Sequence, residues 1–201
     1  MEHTKRGIDV VLSLFLLVVL SPILLAAALV IKLDSRGTVL FRQVRIGRNF
    51  RPFSILKFRT MRSQLEGSAI TARGDRRVTR VGRWLRASKI DELPQLVNVL
   101  RGDMSIVGPR PEIPEFVDLF RDRYQRILQV RPGITDPASI AFRNEEEILG
   151  SSSDPLRTYR EEILPAKLEL SEKYLRERTL RADIAALART AAALFSHSRP
   201  T

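Results

Sequence analysis

The hydrophobic and polar positions divide the chain into an apolar N-terminal stretch and a longer part in which apolar residues recur at intervals. Residues 10–31 are 22 consecutive positions without a charge. A straight helix of that length would measure about 33 Å at about 1.5 Å per residue, enough to cross a bilayer. The run is longer than the apolar part of a cleaved signal peptide and continues directly into a basic segment. We therefore predict a permanent membrane anchor.

Two features of this stretch favour a helix that enters the bilayer and turns back. Pro22 lies near its middle, where the missing N–H and the ring break or kink a helix, and Ser21 can bond a freed backbone group. Basic residues flank both ends, and the positive-inside rule places such flanks on the cytoplasmic side. A single spanning helix with a proline kink is the alternative, and the residues alone support the two arrangements about equally.

The periodicity changes after the anchor. Alternating apolar and basic residues around a turn at Gly47 predict a short β-hairpin from Val39 to Phe58. Residues 63–74 are small and polar, which predicts a mobile loop. Apolar residues at helical spacing then predict an amphipathic helix at 81–85, a helix that ends at Gly102, a helix over 115–129 and a helical region over 161–194. We expect an α+β, mostly helical fold with a re-entrant anchor, one short hairpin and amphipathic interfacial helices.

Composition narrows the chemistry. The 201-residue chain has no cysteine, which excludes disulfides and thiolate catalysis, and its two histidines lie near the termini. If the protein is an enzyme, its nucleophile, acid or base is therefore expected to be a carboxylate. The net charge is +11, with sixteen Lys and Arg between Lys32 and Lys89. Such a block suits a phosphorylated substrate, an anionic membrane or a nucleic acid.

Asp91 and Glu92 form an adjacent acid pair between this basic block and a Gly-Pro-Arg-Pro turn. Two carboxylates near many arginines indicate phosphate chemistry. The alternative is structural: Ser88 stands three residues before Asp91, as in a helix capping box, and taken alone this capping role is the more probable one for Asp91. A helix N-terminus is also an anion site, so the two roles are compatible.

Five segments resemble the bacterial sugar transferase family, the small monotopic phosphoglycosyl transferases, over about residues 8–183. They occur in the order seen in that family: SPILL, FRQVRIG, LKFRTM, LRASKIDELPQLVNVLRGDMSIVGPRP and VRPGIT. The resemblance implies transfer of a phosphosugar from a UDP-sugar to polyprenol (undecaprenyl) phosphate, in one leaflet of the bacterial inner membrane and at its cytoplasmic face. It implies an anchor at 1–35, broken at Ser21 and Pro22, a compact catalytic domain at 36–195 and a tail at 196–201.

The same resemblance assigns roles to individual residues. Asp91 corresponds to the nucleophile that captures the phosphosugar and releases UMP in a ping-pong reaction, and Glu92 to its partner. Both are expected to bind Mg²⁺, the cofactor of the family. The phosphate-binding positions are Lys57, Arg59, Arg86 and Arg110, and Asp183 matches a late acidic position that contacts substrate in this interpretation. Membrane lipid is an expected partner, nucleic acid is not, and a homodimer is left open.

Residues 135–150 depart from the pattern of many relatives. The chain has TDPASIAFRNEEEILG where those relatives have small and amide residues, so the sugar is not assigned from the resemblance. The alternative function is a non-enzymatic membrane adaptor whose basic segment binds anionic lipid or nucleic acid and in which Asp91 is only a helix cap.

Overall fold

The computed structural model describes residues 2–62 and 70–195, which are mostly helical with two small two-stranded sheets. The first half comprises α1 Glu2–Val19, α2 Ser21–Asp34, β1 Leu40–Ile46, β2 Pro52–Phe58, α3 Arg80–Ala87, α4 Gln95–Arg101 and β3 Ser105–Val107. The second half comprises α5 Pro114–Leu119, α6 Arg121–Ile127, β4 Gly133–Thr135, α7 Pro137–Ala141, α8 Glu145–Ser151, α9 Pro155–Thr158, α10 Leu164–Arg176 and α11 Leu180–Phe195. A π-helical turn, Tyr159–Ile163, joins α9 to α10.

The apolar stretch breaks where the sequence predicts. Helices α1 and α2 meet at an angle of 62°. The Val18 carbonyl would normally accept a bond from residue 22, but Pro22 has no N–H, and the Ser21 hydroxyl donates to that carbonyl instead, at 2.8 Å. No single helix in the described residues is long and apolar enough to cross a membrane, whereas the bent pair has the length and composition of a broken span or a re-entrant loop.

Much of the bent pair is left uncovered by the other described residues. Large apolar side chains are exposed along both helices, at Ile8, Val11, Leu14, Phe15, Val18, Val19, Ile23, Leu25, Leu29, Val30 and Leu33. An exposed apolar surface of this extent on two adjoining helices is typical of contact with lipid.

The first turns of α1 are instead buried in the rest of the protein. The Lys5 ammonium forms an ion pair with Asp183 of α11, and both residues are 6% exposed. Asp9 accepts hydrogen bonds from the Ser105 hydroxyl at 2.8 Å and the Ile106 amide at 3.2 Å, both in β3. These buried contacts join the N-terminal helix to the C-terminal helix and to the second sheet.

The hairpin prediction is confirmed. Strands β1 and β2 pair antiparallel from Leu40–Phe58 to Ile46–Pro52, and the turn between them includes Asn49 in the left-handed region at φ 56°. The second sheet, β3 beside β4 in parallel, was not predicted. Each of its strands has only three residues, too few for periodicity to show.

Two helix predictions need correction. Ser88 does not cap the helix that follows; its backbone is right-handed at the C-terminal end of α3, and its hydroxyl donates to the Trp84 and Leu85 carbonyls. An N-cap residue needs an extended backbone, which Thr79 at the start of α3 has. The helix predicted over 115–129 is broken into α5 and α6 at Phe120.

Other predictions stand as follows. The helix at 81–85 is α3, and the helix after the acid pair is α4, which ends at Gly102 with φ 90°, as expected of a C-terminal glycine. The helical region over 161–194 is confirmed as α10 and α11, with a break between Arg176 and Leu180. Most of the predicted loop at 63–74 and the predicted tail at 196–201 lie outside the described residues.

Three buried clusters hold the fold together. The first contains Phe116, Val117, Ile127, Leu149, Leu164 and Leu168, and the second contains Ile55, Val99, Met104, Val107 and Tyr174. The third is formed where α2 ends: Ala27 and Ile31 pack against Phe58 of β2 and Leu85 of α3. The bent pair is therefore continuous with the core at the end of α2 as well as at the start of α1.

We predict that Asp183→Ala destabilises the protein by about 3–5 kcal/mol, because it leaves the buried Lys5 ammonium unpaired. Thermal unfolding in detergent measures this loss. The matched control is Asp118→Ala, since Asp118 pairs with Arg121 at 2.9 Å with side chains 66% and 60% exposed. It should change stability by less than about 1 kcal/mol. Equal losses in the two variants would show that the buried pair has no special role.

Candidate active site

The acid pair lies in a short 3-10 turn, Ile90–Glu92, between α3 and α4. Lys89 has a left-handed backbone at φ 57°, which ends α3 and turns the chain. From Ile90 onward the backbone is helical, and Pro94 is tolerated because the start of a helix has unsatisfied N–H groups in any case. The turn presents the two neighbouring carboxylates in different surroundings.

Glu92 is held by two cations. The Lys57 ammonium of β2 donates to its Oε1 at 3.0 Å, and the Arg110 guanidinium donates to both carboxylate oxygens, with Nη1 at 3.2 Å from Oε2. Burial works against ionisation of Glu92, but Arg110 and Lys57 outweigh it and hold the pKa of Glu92 well below its usual range. Glu92 is therefore a permanent anion.

Asp91 has the opposite environment. The residue is 6% exposed, and its Oδ1 atom is buried without a hydrogen-bond partner among the described residues. Burial and the adjacent Glu92 charge raise the pKa of Asp91 to about 6, against the opposing influence of Lys57, Arg86 and Lys89. One carboxylate of the pair is thus neutralised by partners, and the other keeps an uncommitted oxygen.

Arg110 lies in the Gly-Pro-Arg-Pro turn, whose backbone is tightly packed. A Cβ on Gly108 would lie 2.6 Å from the Arg131 carbonyl oxygen, so only glycine fits there. Glu112, two residues after Arg110, accepts from Arg45 at 2.6 Å and from the Tyr159 hydroxyl at 2.7 Å. These contacts fix the turn between the hairpin and the helical core.

The two cations that bind Glu92 also have shifted pKa values. Burial lowers the pKa of Lys57, partly offset by the nearby Glu92 charge, whereas Glu92 raises the pKa of Arg110 despite its burial. Arg110 therefore stays charged at any accessible pH, whereas Lys57 is the donor that loses its proton more readily.

Arg86 approaches the acid pair from the end of α3. Its charge is close enough to favour the ionised form of Asp91. Its Nε and Nη2 atoms both donate to Oε1 of Glu146 in α8, the former at 3.0 Å, and Nη1 lies 3.5 Å from the Thr60 hydroxyl. Arg86 is thus near the site, but its donors are engaged by a carboxylate that the sequence did not connect with it.

Two residues expected at the site make their contacts elsewhere. Arg59 is 6% exposed and donates to the carbonyls of Arg36 at 2.8 Å and Ser35 at 2.7 Å, just beyond the end of α2. A guanidinium here stabilises the carboxyl end of the second anchor helix. Asp183 is occupied by Lys5 and by the Tyr174 hydroxyl.

The residues of this site can hold the expected Mg²⁺ only together with a substrate phosphate. Among residues 2–62 and 70–195, no group of three or more histidine, aspartate or glutamate side chains is arranged to hold a metal ion. Mg²⁺ in proteins commonly uses one or two carboxylates together with substrate phosphates and water. The Asp91 carboxylate suits such a role, whereas both oxygens of Glu92 already accept from cations. The residues fit a metal ion carried in with a diphosphate, rather than a metal cage made by the protein alone.

Comparison with known proteins identifies the family of the chain. The model of the family described as bacterial sugar transferase matches residues 1–197. The chain belongs to this family. It is 52% identical over 141 residues to a UDP-glucose:undecaprenyl-phosphate glucose-1-phosphate transferase of Caulobacter vibrioides, covering 68% of this chain and 53% of that protein.

Two further relatives differ in the sugar that their names specify. An Escherichia coli UDP-glucose:undecaprenyl-phosphate glucose-1-phosphate transferase is 38% identical over 90% of this chain and 38% of its own length. A UDP-N-acetylgalactosamine-undecaprenyl-phosphate N-acetylgalactosaminephosphotransferase of Aeromonas hydrophila is 48% identical over 68% of this chain and 33% of its own length. The chain spans about half or less of these relatives.

The structure therefore groups the expected site residues into two sets. Asp91, Glu92, Lys57 and Arg110 come together, with Arg86 beside them, while Arg59 and Asp183 bind at the end of α2 and the start of α1. Sequence reasoning missed Glu146 as the partner of Arg86, although the acidic run at 145–147 was the available signal. It also missed Glu112. The position of Glu112 directly after the Gly-Pro-Arg-Pro turn was a weaker signal.

We predict that Asp91→Asn stabilises the folded protein at alkaline pH. The pKa of Asp91 is about 6 when folded against an ordinary value of 3.8, so the stability contributed by the protonated carboxyl is complete below pH 3.8 and is lost as the pH rises to about 6. Asparagine stays neutral and escapes this loss, worth about 3 kcal/mol.

Unfolding of both proteins in detergent with EDTA, at pH 4 and pH 8, measures the effect. The two should be nearly equal at pH 4, and the variant should be more stable at pH 8. Asp118→Asn, at an exposed position, is the control and should show no such pH-dependent gain. A less stable Asp91→Asn protein at pH 8 would contradict the assigned environment of Asp91.

Proposed function

We propose that the protein transfers a sugar-1-phosphate from a UDP-sugar to undecaprenyl phosphate, releasing UMP, as the first membrane step of glycan or glycoconjugate synthesis. The observation that carries the proposal is the buried Oδ1 of Asp91, which has no partner among the described residues, beside a Glu92 already neutralised by Lys57 and Arg110. The names of the relatives supply the donor and acceptor classes.

In the first half of the reaction, Oδ1 of Asp91 attacks the β-phosphorus of the UDP-sugar. A bond forms between this oxygen and phosphorus, and the bond from phosphorus to the bridging oxygen breaks. UMP leaves with that electron pair. Burial leaves Oδ1 poorly solvated, so the attacking oxygen loses little hydration on reaction. Burial also raises the pKa of Asp91 to about 6, which still leaves this carboxylate mostly ionised at pH 7–8.

In the second half, a phosphate oxygen of the polyprenol phosphate attacks the same phosphorus. The bond between phosphorus and Asp91 breaks, the carboxylate is restored, and the product is a polyprenyl diphosphate sugar. The soluble donor and the lipid acceptor use one carboxylate in turn, so they need not be bound together.

The residues around the pair have distinct tasks in this scheme. Arg110 and Lys57 keep Glu92 in place and supply positive charge where negative charge develops on the phosphoryl oxygens. Mg²⁺ held by Asp91 and the donor diphosphate, next to Glu92, would neutralise charge on the leaving UMP. Residues 1–35 act as the anchor of a catalytic domain, 36–195, at the cytoplasmic face of the inner membrane.

We predict that Asp91→Asn lowers UMP release by about 10³-fold or more, since an amide is a far weaker nucleophile than a carboxylate. The assay follows UMP from a panel of UDP-sugars with undecaprenyl phosphate and Mg²⁺. Asp118→Asn removes an exposed carboxylate and should leave the rate unchanged.

The covalent step has a direct readout. Incubation of wild-type protein with donor alone should release about one UMP per protein and add one phosphosugar to the intact mass, an adduct that Asp91→Asn should not form. Near-normal turnover by Asp91→Asn would rule out this nucleophile. Absence of UMP release from every donor, with salt-dependent binding to anionic polymers, would favour the adaptor function instead.

We predict that both ends of the bent helix pair face the cytoplasm. The chain has no cysteine, so His3→Cys and Thr38→Cys each provide a single labelling site. In inverted membrane vesicles a membrane-impermeant maleimide should label both variants without detergent, because a re-entrant loop returns the chain to the same side. Protection of one site until detergent is added would establish a spanning helix.

A further inference from the structure

Three of the cations around the acid pair differ in the partners that bind them. Lys57 and Arg110 are bound to Glu92, whose side chain is 12% exposed. Arg86 is bound to Glu146, whose side chain is 45% exposed and belongs to a different segment, α8. Opening the first pair of contacts would strand a buried charge, whereas opening the second returns a carboxylate to water. Arg86 is therefore the cation that can change partners at low cost.

The fork of Arg86 is engaged in the way a phosphate would engage it. Its Nε and Nη2 atoms converge on a single oxygen, Oε1 of Glu146. Guanidinium forks bind phosphoryl oxygens through the same donors. Arg86 lies in the last turn of α3, which contacts the 3-10 turn that carries Asp91, so a phosphoryl group that reaches Asp91 lies close to this fork.

We propose that Glu146 occupies the place of a substrate phosphate on Arg86 and is displaced when the donor diphosphate binds. The inference rests on the proposed function and assigns to Glu146 a role in setting donor affinity. A phosphate carries more negative charge than a carboxylate, so exchange gains electrostatic energy at Arg86 while Glu146 gains hydration.

The exchange needs only a side-chain movement. The main chain of α8 has its own attachment, because the Arg73 amide donates to the Glu146 carbonyl at 2.7 Å. Arg86 also keeps the Thr60 hydroxyl at 3.5 Å on its other side. Loss of the Arg86–Glu146 contact therefore leaves both elements in place.

The test is binding of inorganic pyrophosphate by calorimetry in EDTA, with the full chain in nanodiscs at constant ionic strength. Glu146→Gln should bind pyrophosphate about 2- to 5-fold more tightly than wild type, because an exposed ion pair no longer has to be opened first. The same variant should show a lower KM for the UDP-sugar.

Glu147→Gln is the matched control. It makes the same change in net charge one residue away, at a side chain 58% exposed that lies 3.7 Å from Arg73. Its affinity for pyrophosphate should equal that of wild type. The Arg86→Gln background provides the second control: adding Glu146→Gln there should give no further gain, because the competition acts through Arg86.

Each other outcome overturns the inference. Unchanged or weaker binding by Glu146→Gln would mean that Glu146 orients Arg86 rather than competing with phosphate. A gain that persists without Arg86, or that Glu147→Gln shares, would reflect the general field of the surface. The proposed function fails separately: it fails if wild-type protein releases no UMP, whatever the variants do with pyrophosphate.

Discussion

Two adjacent carboxylates can share a buried site only if one of them is neutralised, and here Lys57 and Arg110 neutralise Glu92. Three parts of the fold must converge for this: strand β2 supplies Lys57, the turn after Gly108 supplies Arg110, and the 3-10 turn supplies the acids. The hairpin and the small parallel sheet exist at the positions that make this convergence possible. Asp91 then remains as the carboxylate whose Oδ1 has no partner in the part of the chain that the structure describes, and the chemistry proposed for it follows from that asymmetry.

The bent helix pair is attached to the rest of the protein at both of its ends. Lys5 and Asp183 form a buried ion pair at the start of α1, and Arg59 binds carbonyl groups at the end of α2. In the proposed membrane arrangement, these attachments fix the height of the acid pair relative to the bilayer. In the proposed reaction, a lipid phosphate and a soluble diphosphate would then use the same carboxylate without movement of one part of the protein against another.

Cations near the acid pair fall into a permanent set and an exchangeable one. Arg110 and Lys57 maintain the ionised Glu92, and the Glu92 charge in turn favours the charged form of both cations. Arg86 is instead balanced by Glu146, in the stretch where the chain departs from many relatives. In the proposed function, variation in that stretch alters how the donor is bound without altering the carboxylate that reacts.

Elements that depend on neighbouring residues were predictable from the amino-acid sequence. Pro22 predicts the break because it lacks an N–H, alternation predicts the hairpin, Gly102 predicts a helix end, and the DELPQL motif with the GPRP turn predicts the family. The pairing of charged side chains, by contrast, is visible only in the tertiary structure. Arg59 and Arg86 are indistinguishable as basic residues in the sequence, yet one binds carbonyl groups just beyond α2 and the other binds Glu146 beside the acid pair. Their roles depend on partners distant in the chain, and partner choice among many similar charges is set by packing, which local periodicity does not encode.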